Sequence, residues 1–453
     1  MRTLALCIAV LMTATARAQD YAAPGPYAVG VRTVTVTRPE GTTFTARLSY
    51  PATSAGASTP FAPGAAPAAA ISFGHGFLQA TTQYATTMDH LASWGFVVIA
   101  SNSQGSLFPS HAAFAADLRH SLTHLEQQNA ASGSFLFSAV DVARFGMSGH
   151  SMGGGASILA TADDPRVKAL ANLAAAETNP SATAAIPRIR VPVSLIAGES
   201  DGIVPVASNG QAMYNAAAAP KLLPIIRGGF HCGFTDAGFI GCDSSATLSR
   251  AQQLRTTRRL LTQFFVLTLT DDQSPWNAVW GPIADGDAAV NAAQRSPGSR
   301  MDAAISGVRG GPGSVVPVTL TVVNTSPVAM DFVLFAEGLG VSFEPASTGM
   351  LAPGASGSVT AALAFPAAAS QVPPSVLISA GAANGRGARS FRSVATEWVC
   401  PADFDGGGGV DGDDVIAFFF AWDSSSASAD VNADGGVDGD DVVLFFASWD
   451  AGC

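Results

Sequence analysis

The sequence predicts a multidomain α/β protein, in which a mostly parallel sheet with flanking helices precedes a β-sandwich domain and a small helical module. The chain has 453 residues, more than one hydrophobic core normally organises. Short apolar runs alternate with helix-length stretches over its first half, as expected for parallel strands that are buried on both faces. These runs lie at 68–73, 96–101, 142–147, 169–174, 193–198 and 222–226.

Changes of pattern along the chain set the domain limits. Residues 31–50 alternate polar and apolar side chains, which predicts a hairpin at one edge of the sheet. Residues 301–398 contain short alternating strands with Gly and Pro turns, which is typical of a β-sandwich that acts as a spacer or surface-binding module. The predicted limits are 19–270 for the α/β domain with its closing helix, 271–300 for a linker, 301–398 for the sandwich and 400–453 for the helical module.

The first 18 residues have the pattern of a secretory signal. An apolar run from Leu4 to Met12 follows one positive residue, and a small-x-small cleavage motif ends at Ala18. The run is too short for a bilayer, which needs about 20 apolar residues. We therefore predict a secreted or cell-surface protein that is cleaved after Ala18 and has no membrane span.

Four cysteines remain after removal of this signal. An even number in an exported chain predicts two disulfides. Sequence alone leaves three pairings open. The simplest pairing joins Cys232 to Cys242 and Cys400 to Cys453.

The net charge of −11 arises at the end of the chain, because residues 400–453 contain 12 Asp and neither Lys nor Arg. The rest of the chain is nearly neutral. It therefore gives no electrostatic reason to expect nucleic acid or a membrane surface as a partner.

A serine motif follows one of the predicted buried strands. Gly149-His150-Ser151-Met152-Gly153 comes after the run at 142–147 and before a Gly- and Ala-rich helix start. A G-x-S-x-G pattern in this context predicts a nucleophile elbow, the sharp strand-to-helix turn that exposes a reactive serine. We predict Ser151 as the nucleophile. His150 is expected to point away from it and to support the site.

The acid and the base are expected later in the chain, in the order serine, acid, histidine. His231 is the only histidine after Ser151, and it follows the last predicted parallel strand. Asp201 follows the strand before that one and is predicted to orient His231 and stabilise its imidazolium form. Glu177 is the alternative acid, whereas Glu199 is expected to pack elsewhere.

An oxyanion hole combines the backbone N–H after the nucleophile with an N–H from the loop after an earlier strand. We predict the amides of Met152 and of Phe77, which lies in "SFGHGF". The ring of Phe77 either forms a wall for the acyl side of a substrate or packs in the fold.

Residues 28–268 resemble the α/β-hydrolase superfamily. "GHSMGGG", "GFVVIASNSQG" and "GESDGIVP" are similar to its bacterial cutinase, polyester hydrolase and chlorophyllase-like branch. The resemblance implies a carboxylic ester hydrolase that forms an acyl-enzyme without a catalytic cofactor, with Ser151, Asp201 and His231 as triad and Phe77 and Met152 as oxyanion donors. The chain departs from the polyester hydrolases at "NLAAAETNPSA", where they carry a tryptophan. No long insertion follows the elbow helix, so we expect an open site that suits bulky or polymeric esters.

The acidic module contains an internal repeat, "DFDGGGGVDGDDVIAFFFAW" at 403–422 and "DVNADGGVDGDDVVLFFASW" at 430–449. Calcium takes about six to eight oxygen ligands, which a loop with Asp or Asn at alternate positions supplies. The first loop has Gly407 at one such position, which predicts a weaker site there. The predicted ligands are Asp403, Asp405, Asp411, Asp414, Asp430, Asn432, Asp434, Asp438 and Asp441.

An apolar helix is predicted after each acidic loop, with aromatic faces that can pack together. The repeat resembles a dockerin, the calcium-loop module that attaches secreted enzymes to a partner called a cohesin. The resemblance implies structural calcium and a cohesin-like partner. The alternative is a solvated acidic tail.

Two other functions fit parts of the sequence. The first is a catalytically inactive hydrolase fold whose C-terminal modules serve as a secreted binding or attachment protein, against which the complete serine, acid and histidine set argues. The second is a hydrolase that cleaves an amide or a lactone. Analogy of fold does not decide the second, because the pocket and not the scaffold sets the substrate.

Overall fold

A computed structural model describes residues 19–451 with the exception of 240, 246, 312, 367–370, 384–386, 408 and 432–434. The predicted signal segment, Asn432, Asp434 and Cys453 therefore lie outside the described residues. Within the part that is described, no helix is both long and apolar enough to cross a membrane.

One mixed sheet organises the first part of the chain. Its strands are β1 (Ala28–Thr37), β2 (Thr43–Ala52), β3 (Gly56–Ala57), β4 (Ala68–Gly74), β5 (Val97–Ser101), β6 (Val140–His150), β7 (Val167–Leu173), β8 (Val193–Gly198), β9 (Lys221–Ile226) and β10 (Val290–Ser296). The order is β10-β9-β8-β7-β6-β4-β5-β2-β1-β3. Strands β5, β4, β6, β7, β8 and β9 are parallel, and β1 and β2 form an antiparallel hairpin beside them. The predicted mostly parallel sheet is confirmed.

Helices cover both faces of this sheet, which is why its central strands are apolar throughout. The helices are α1 (Ala85–Ser93), α2 (His111–Ala130), α3 (Met152–Ala162), α4 (Ala182–Ala185), α5 (Gly210–Ala216) and α6 (Arg250–Leu269). Helices α2 to α5 bury Phe114, Ile158 and Met213 in one core. Helices α1 and α6 bury Met88 and Phe265 in a second core on the opposite face.

Residues 271–300, predicted as a linker, instead complete this unit. They form two short helices, α7 (Trp276–Val279) and α8 (Pro282–Asp285), and strand β10, which pairs antiparallel with β9. Trp276 and Trp280 are buried in the same core as Phe264 of α6. An edge strand pairs through backbone hydrogen bonds and needs no apolar periodicity, so the sequence pattern does not reveal it.

The next region is rich in β-structure, as predicted. Its strands are β11 (Ser299–Ala303), β12 (Gly307–Gly310), β13 (Val315–Asn324), β14 (Met330–Glu337), β15 (Gly340–Glu344), β16 (Ser347–Leu351), β17 (Ser356–Ala364), β18 (Ser375–Ala382) and β19 (Arg389–Trp398). They form two sheets, β11-β13-β17-β15 and β12-β19-β18-β14-β16. Apolar residues from both sheets share one core, which includes Leu320 of β13 and Ile378 of β18.

This β-rich region packs against the first unit. Trp276 Nε1 donates a hydrogen bond to Glu337 at 2.7 Å. The guanidinium of Arg389 lies 3.8 Å from the ring centroid of Phe335 and 5.1 Å from that of Trp276. Ala388 also joins the core that contains Leu267 of α6. Side-chain packing therefore holds the β-rich region against the first unit, in addition to the covalent connection between them.

Two helices form the C-terminal module, α9 (Gly412–Asp423) and α10 (Gly439–Ala451). The buried rings of Phe418 and Phe445 stack with their centroids 4.3 Å apart. The aromatic faces of the two helices thus pack together. Cys400 takes part in a disulfide, and Cys453, its predicted partner, lies outside the described residues.

Candidate active site

Ser151 lies at the turn between β6, which ends at His150, and α3, which begins at Met152. Its backbone has φ 55° and ψ −121°, a strained combination for a residue with a Cβ. The turn brings α3 very close to β4, because a Cβ on Gly153 would lie 2.2 Å from the carbonyl carbon of Gly74. Only glycine fits there. Ser151 is thus presented at the carboxyl edge of the parallel strands, where α/β sheets bind ligands.

His231 and Asp201 form a buried hydrogen-bonded pair at the same edge. His231 follows β9 and Asp201 follows the neighbouring strand β8. Nδ1 of His231 lies 2.8 Å from Oδ2 of Asp201, and the two residues are only 3% and 7% exposed. Oδ1 of Asp201 accepts the backbone N–H groups of Ile203 and Val204 at 2.9 and 2.6 Å. The carboxylate is therefore fixed, and Nε2 of His231 is the nitrogen that remains for proton transfer.

His150 connects this pair to the elbow. Its ring centroid lies 4.5 Å from that of His231, and the residue directly precedes Ser151. Its Nδ1 lies 2.8 Å from the hydroxyl of Tyr84. Burial, and then the nearby His231, hold the pKa of His150 well below its usual range, so the ring is neutral at physiological pH. This placement agrees with a supporting role for His150.

The two glutamates near the acid position have other partners. The Glu177 carboxylate accepts three backbone N–H groups, one before α4 and two in its first turn, whose N-cap is Ser181. The Glu199 carboxylate accepts the backbone N–H of Gly228. Of these carboxylates, in the part of the chain that is described, Asp201 is the one bonded to the imidazole of His231.

The two predicted oxyanion donors lie on different elements that meet at the elbow. Met152 is the first residue of α3, so its N–H has no acceptor within the helix. Phe77 lies in the loop after β4, the strand whose end contacts Gly153. Among the described residues, neither amide donates to a loop or turn carbonyl. Both N–H groups are therefore available to bind an anion.

Asp243 is a site residue that the sequence reasoning missed. Its carboxylate accepts the backbone N–H groups of His231 and Cys232 at 2.8 and 2.9 Å, and that of Gly202 at 3.1 Å. It therefore ties the loop that carries His231 to the loop that carries Asp201. The predicted Cys232–Cys242 disulfide is confirmed, with a Cα–Cα distance of 5.6 Å. The sequence feature that could have indicated Asp243 is its position directly after Cys242, the second cysteine of that bridge.

Exposed apolar side chains lie on the loops at this edge of the sheet. Phe108 is 93% exposed, and its loop contacts the β4 loop, where the ring of His75 bonds to the carbonyl oxygen of Ser103 at 2.8 Å. The loops at 75–81, 102–110, 199–209 and 228–249 contain neither Lys nor Arg. Among the residues of these loops that the structure describes, the exposed large apolar ones are Phe77, Leu78, Leu107, Phe108, Ile203 and Phe239. These loops therefore expose apolar side chains and carry no cation of their own, while Arg250, which follows the last of them, donates to the carbonyl oxygen of Cys232 at 3.1 Å.

A separate carboxylate cluster lies in the first acidic loop of the C-terminal module. Asp403, Asp405 and Asp414 can each bring one oxygen within 4.8 Å of the others. An all-oxygen donor set of this kind fits a hard cation such as calcium. Asp411, a predicted ligand, is not in this cluster, and its side chain accepts the backbone N–H of Asp413 at the start of α9 at 2.9 Å.

The second acidic loop is described only in part. Asp430 accepts the backbone N–H of Gly435 at 3.0 Å. Asp438 accepts the N–H of Asp440 at the start of α10, and Asp441 accepts the N–H of Asp438. The other two predicted ligands of this loop, Asn432 and Asp434, lie outside the described residues.

A strained serine at a strand-to-helix turn, on the carboxyl edge of a mostly parallel sheet and next to a buried His–Asp pair, defines the α/β-hydrolase class. The PET hydrolase-like (PETase) family matches residues 13–239, half of the chain. The protein belongs to this family.

Several characterised proteins are similar to part of the chain. Lipase 1 of Moraxella sp. (strain TA144) is 31% identical over 141 residues, which are 31% of this chain and 41% of that protein. Cutinase 1 of Thermobifida cellulosilytica is 29% identical over 147 residues, 32% of this chain and 53% of that protein. The cutinase of Thermobifida fusca (strain YX) is 28% identical over 147 residues, 32% of this chain and 46% of that protein. The chain thus spans about half the length of these relatives.

Proposed function

We propose that the protein is a secreted or cell-surface serine carboxylic ester hydrolase of the cutinase or polyesterase type. The observation that carries the proposal is the buried His231–Asp201 pair, whose imidazole packs against the residue before the strained Ser151. The names of the relatives, two cutinases and a lipase, support ester hydrolysis. The predicted signal segment supports export.

In the proposed reaction, Oγ of Ser151 attacks the ester carbonyl carbon while Nε2 of His231 takes its proton. Asp201 holds the imidazole and stabilises its protonated form. The N–H groups of Met152 and Phe77 bind the oxyanion of the tetrahedral intermediate. The intermediate expels the alcohol, which takes the proton from His231 and leaves an acyl-enzyme. Water then attacks the acyl carbon by the same steps and releases the acid.

The surface around Ser151 favours uncharged, apolar esters, including segments of a polymer chain. Phe77, Leu107 and Phe108 expose apolar side chains there, and the loops that carry them have no cation for an anionic headgroup. An apolar ester loses little hydration on such a surface, whereas the loops that carry Phe77 and Phe108 offer an anionic substrate no lysine or arginine.

The wild-type protein tests the proposal on a panel of p-nitrophenyl acetate, p-nitrophenyl octanoate, an aliphatic polyester film and the matched amide p-nitroacetanilide. We expect hydrolysis of the esters, no measurable hydrolysis of the amide, and one fluorophosphonate label per chain on the peptide that contains Ser151. Cleavage of the amide but of none of the esters would mean that the protein is an amide hydrolase. A protein that neither cleaves an ester nor takes the label would refute the esterase function.

For the C-terminal module we propose two structural calcium ions and a dockerin-like attachment role with a cohesin-like protein partner. The carboxylate cluster of Asp403, Asp405 and Asp414 supports the first calcium site. Exposed apolar side chains on both helices support a protein partner: Ile416 and Phe420 on α9 are 70% and 80% exposed, and Val443 on α10 is 68% exposed.

Calcium titration of the full-length protein by calorimetry tests this part. We expect two bound ions in the wild type and the loss of one in Asp405→Asn, because that variant removes a charged oxygen ligand from the first loop. Asp413→Asn is the matched control, since Asp413 is an exposed acid of the same segment outside the cluster. If wild type and Asp405→Asn bind the same number of calcium ions with the same affinity, the proposed first site is wrong.

A further inference from the structure

The hydroxyl of Tyr84 lies between two segments of the proposed active site. Tyr84 is fully buried and ends a short 3-10 turn before α1. Its oxygen accepts the backbone N–H of Gly76 at 3.0 Å and lies 2.8 Å from Nδ1 of His150. The hydroxyl also bonds to Oε1 of Gln79. One hydroxyl group therefore joins the loop after β4 to the last residue of β6.

Two of these partners directly precede residues with a proposed catalytic role. Gly76 precedes Phe77, whose N–H is a proposed oxyanion donor, and His150 precedes Ser151. The rate of such a reaction depends steeply on donor placement, since a displacement of about 1 Å can cost about 100-fold. Burial raises the pKa of Tyr84, so the hydroxyl keeps its proton at physiological pH.

We propose that Tyr84 is a positioning residue that sets the distance between the amide of Phe77 and Oγ of Ser151. It does so through its bonds to Gly76 and His150 and without touching the reacting atoms. The inference rests on the proposed esterase function. The ring of His75 holds the same loop through the carbonyl of Ser103, so loss of the Tyr84 hydroxyl is expected to shift the loop without unfolding the protein.

Tyr84→Phe tests this role because it removes the hydroxyl and keeps the ring. We expect kcat for p-nitrophenyl acetate to fall about 10- to 100-fold while KM stays within about twofold. The affinity for an alkylboronic acid, which forms a tetrahedral adduct with the serine, is expected to fall by the same factor, because the adduct reports on the oxyanion donors. A purely structural role would leave this affinity unchanged in the folded protein.

Tyr50→Phe is the matched control. Tyr50 is also fully buried, and it lies on strand β2, away from the elbow. Its hydroxyl donates a hydrogen bond to the carbonyl of Thr59 at 2.7 Å. We expect Tyr50→Phe to have the same kcat and the same boronate affinity as the wild type. Equal values for Tyr84→Phe and Tyr50→Phe would overturn the positioning role and leave the esterase proposal intact, whereas a wild type without ester hydrolysis would overturn both.

A second pair of variants applies if Tyr84→Phe does not fold. His150→Asn keeps a polar atom near the position of Nδ1, within reach of the Tyr84 hydroxyl, and His150→Leu has a similar shape without that atom. Both lose the imidazole contact with His231 equally. We expect kcat of the Asn variant to exceed that of the Leu variant by about tenfold. Equal rates would contradict the proposal.

Discussion

Ser151→Ala is expected to lower kcat for p-nitrophenyl acetate by about five to six orders of magnitude. The variant lacks the oxygen that forms the acyl-enzyme, so His231 has no hydroxyl to activate. The oxyanion donors and the bound substrate remain, and they supply only a small residual rate over water. Steady-state kinetics at high enzyme concentration measure the loss, and titration with a fluorophosphonate is expected to give no labelled protein.

Ser148→Ala is the control for this experiment. Ser148 is a fully buried serine on β6, three residues before Ser151, and its hydroxyl has no hydrogen-bond partner among the described residues. We expect its kcat to stay within about twofold of the wild type. If Ser151→Ala hydrolyses the ester as fast as Ser148→Ala, the reaction does not use the elbow serine and the proposed mechanism is wrong.

The elbow and the disulfide could be predicted from sequence because their determinants are local. The glycines that the turn requires, Gly149 and Gly153, flank Ser151 within a few residues, and a buried strand and a helix start stand on either side. Cys232 and Cys242 are separated by only 10 positions. Because the residues of such a pattern are close in sequence, the short chain between them restricts how they can be placed in space.

Contacts between distant segments could not be predicted in the same way. Tyr84 meets His150 across 66 positions of sequence, and no local pattern distinguishes its hydroxyl from that of a core tyrosine. Strand β10 was missed for the same reason, since it pairs with the backbone of β9. Asp243 lies only 11 and 12 positions from Cys232 and His231, but it binds their backbone N–H groups, which any residue type other than proline supplies. Chain order named Asp201 and His231 as partners, but their 2.8 Å contact depends on β8 and β9 being neighbours in the sheet.

Asp201→Asn is expected to lower kcat about 10,000-fold. Oδ1 of Asp201 accepts two backbone N–H groups, from Ile203 and Val204, and only an oxygen can keep both bonds. The amide nitrogen of the variant would therefore face Nδ1 of His231. It would donate to that nitrogen and force the proton to Nε2, the tautomer that cannot accept the proton of Ser151. KM is expected to change little, because Asp201 is buried beneath the imidazole.

Glu177→Gln separates this explanation from the alternative acid. Glu177 accepts three backbone N–H groups, two of them in the first turn of α4, so its replacement is expected to lower the stability of the protein modestly, by about 1 kcal/mol, and to leave kcat within about twofold of the wild type. Steady-state kinetics and thermal unfolding of the two variants give both quantities. A loss of kcat in Glu177→Gln as deep as that in Asp201→Asn would transfer the role of the acid to Glu177, because a carboxylate that only binds the first turn of α4 does not control the tautomer of His231.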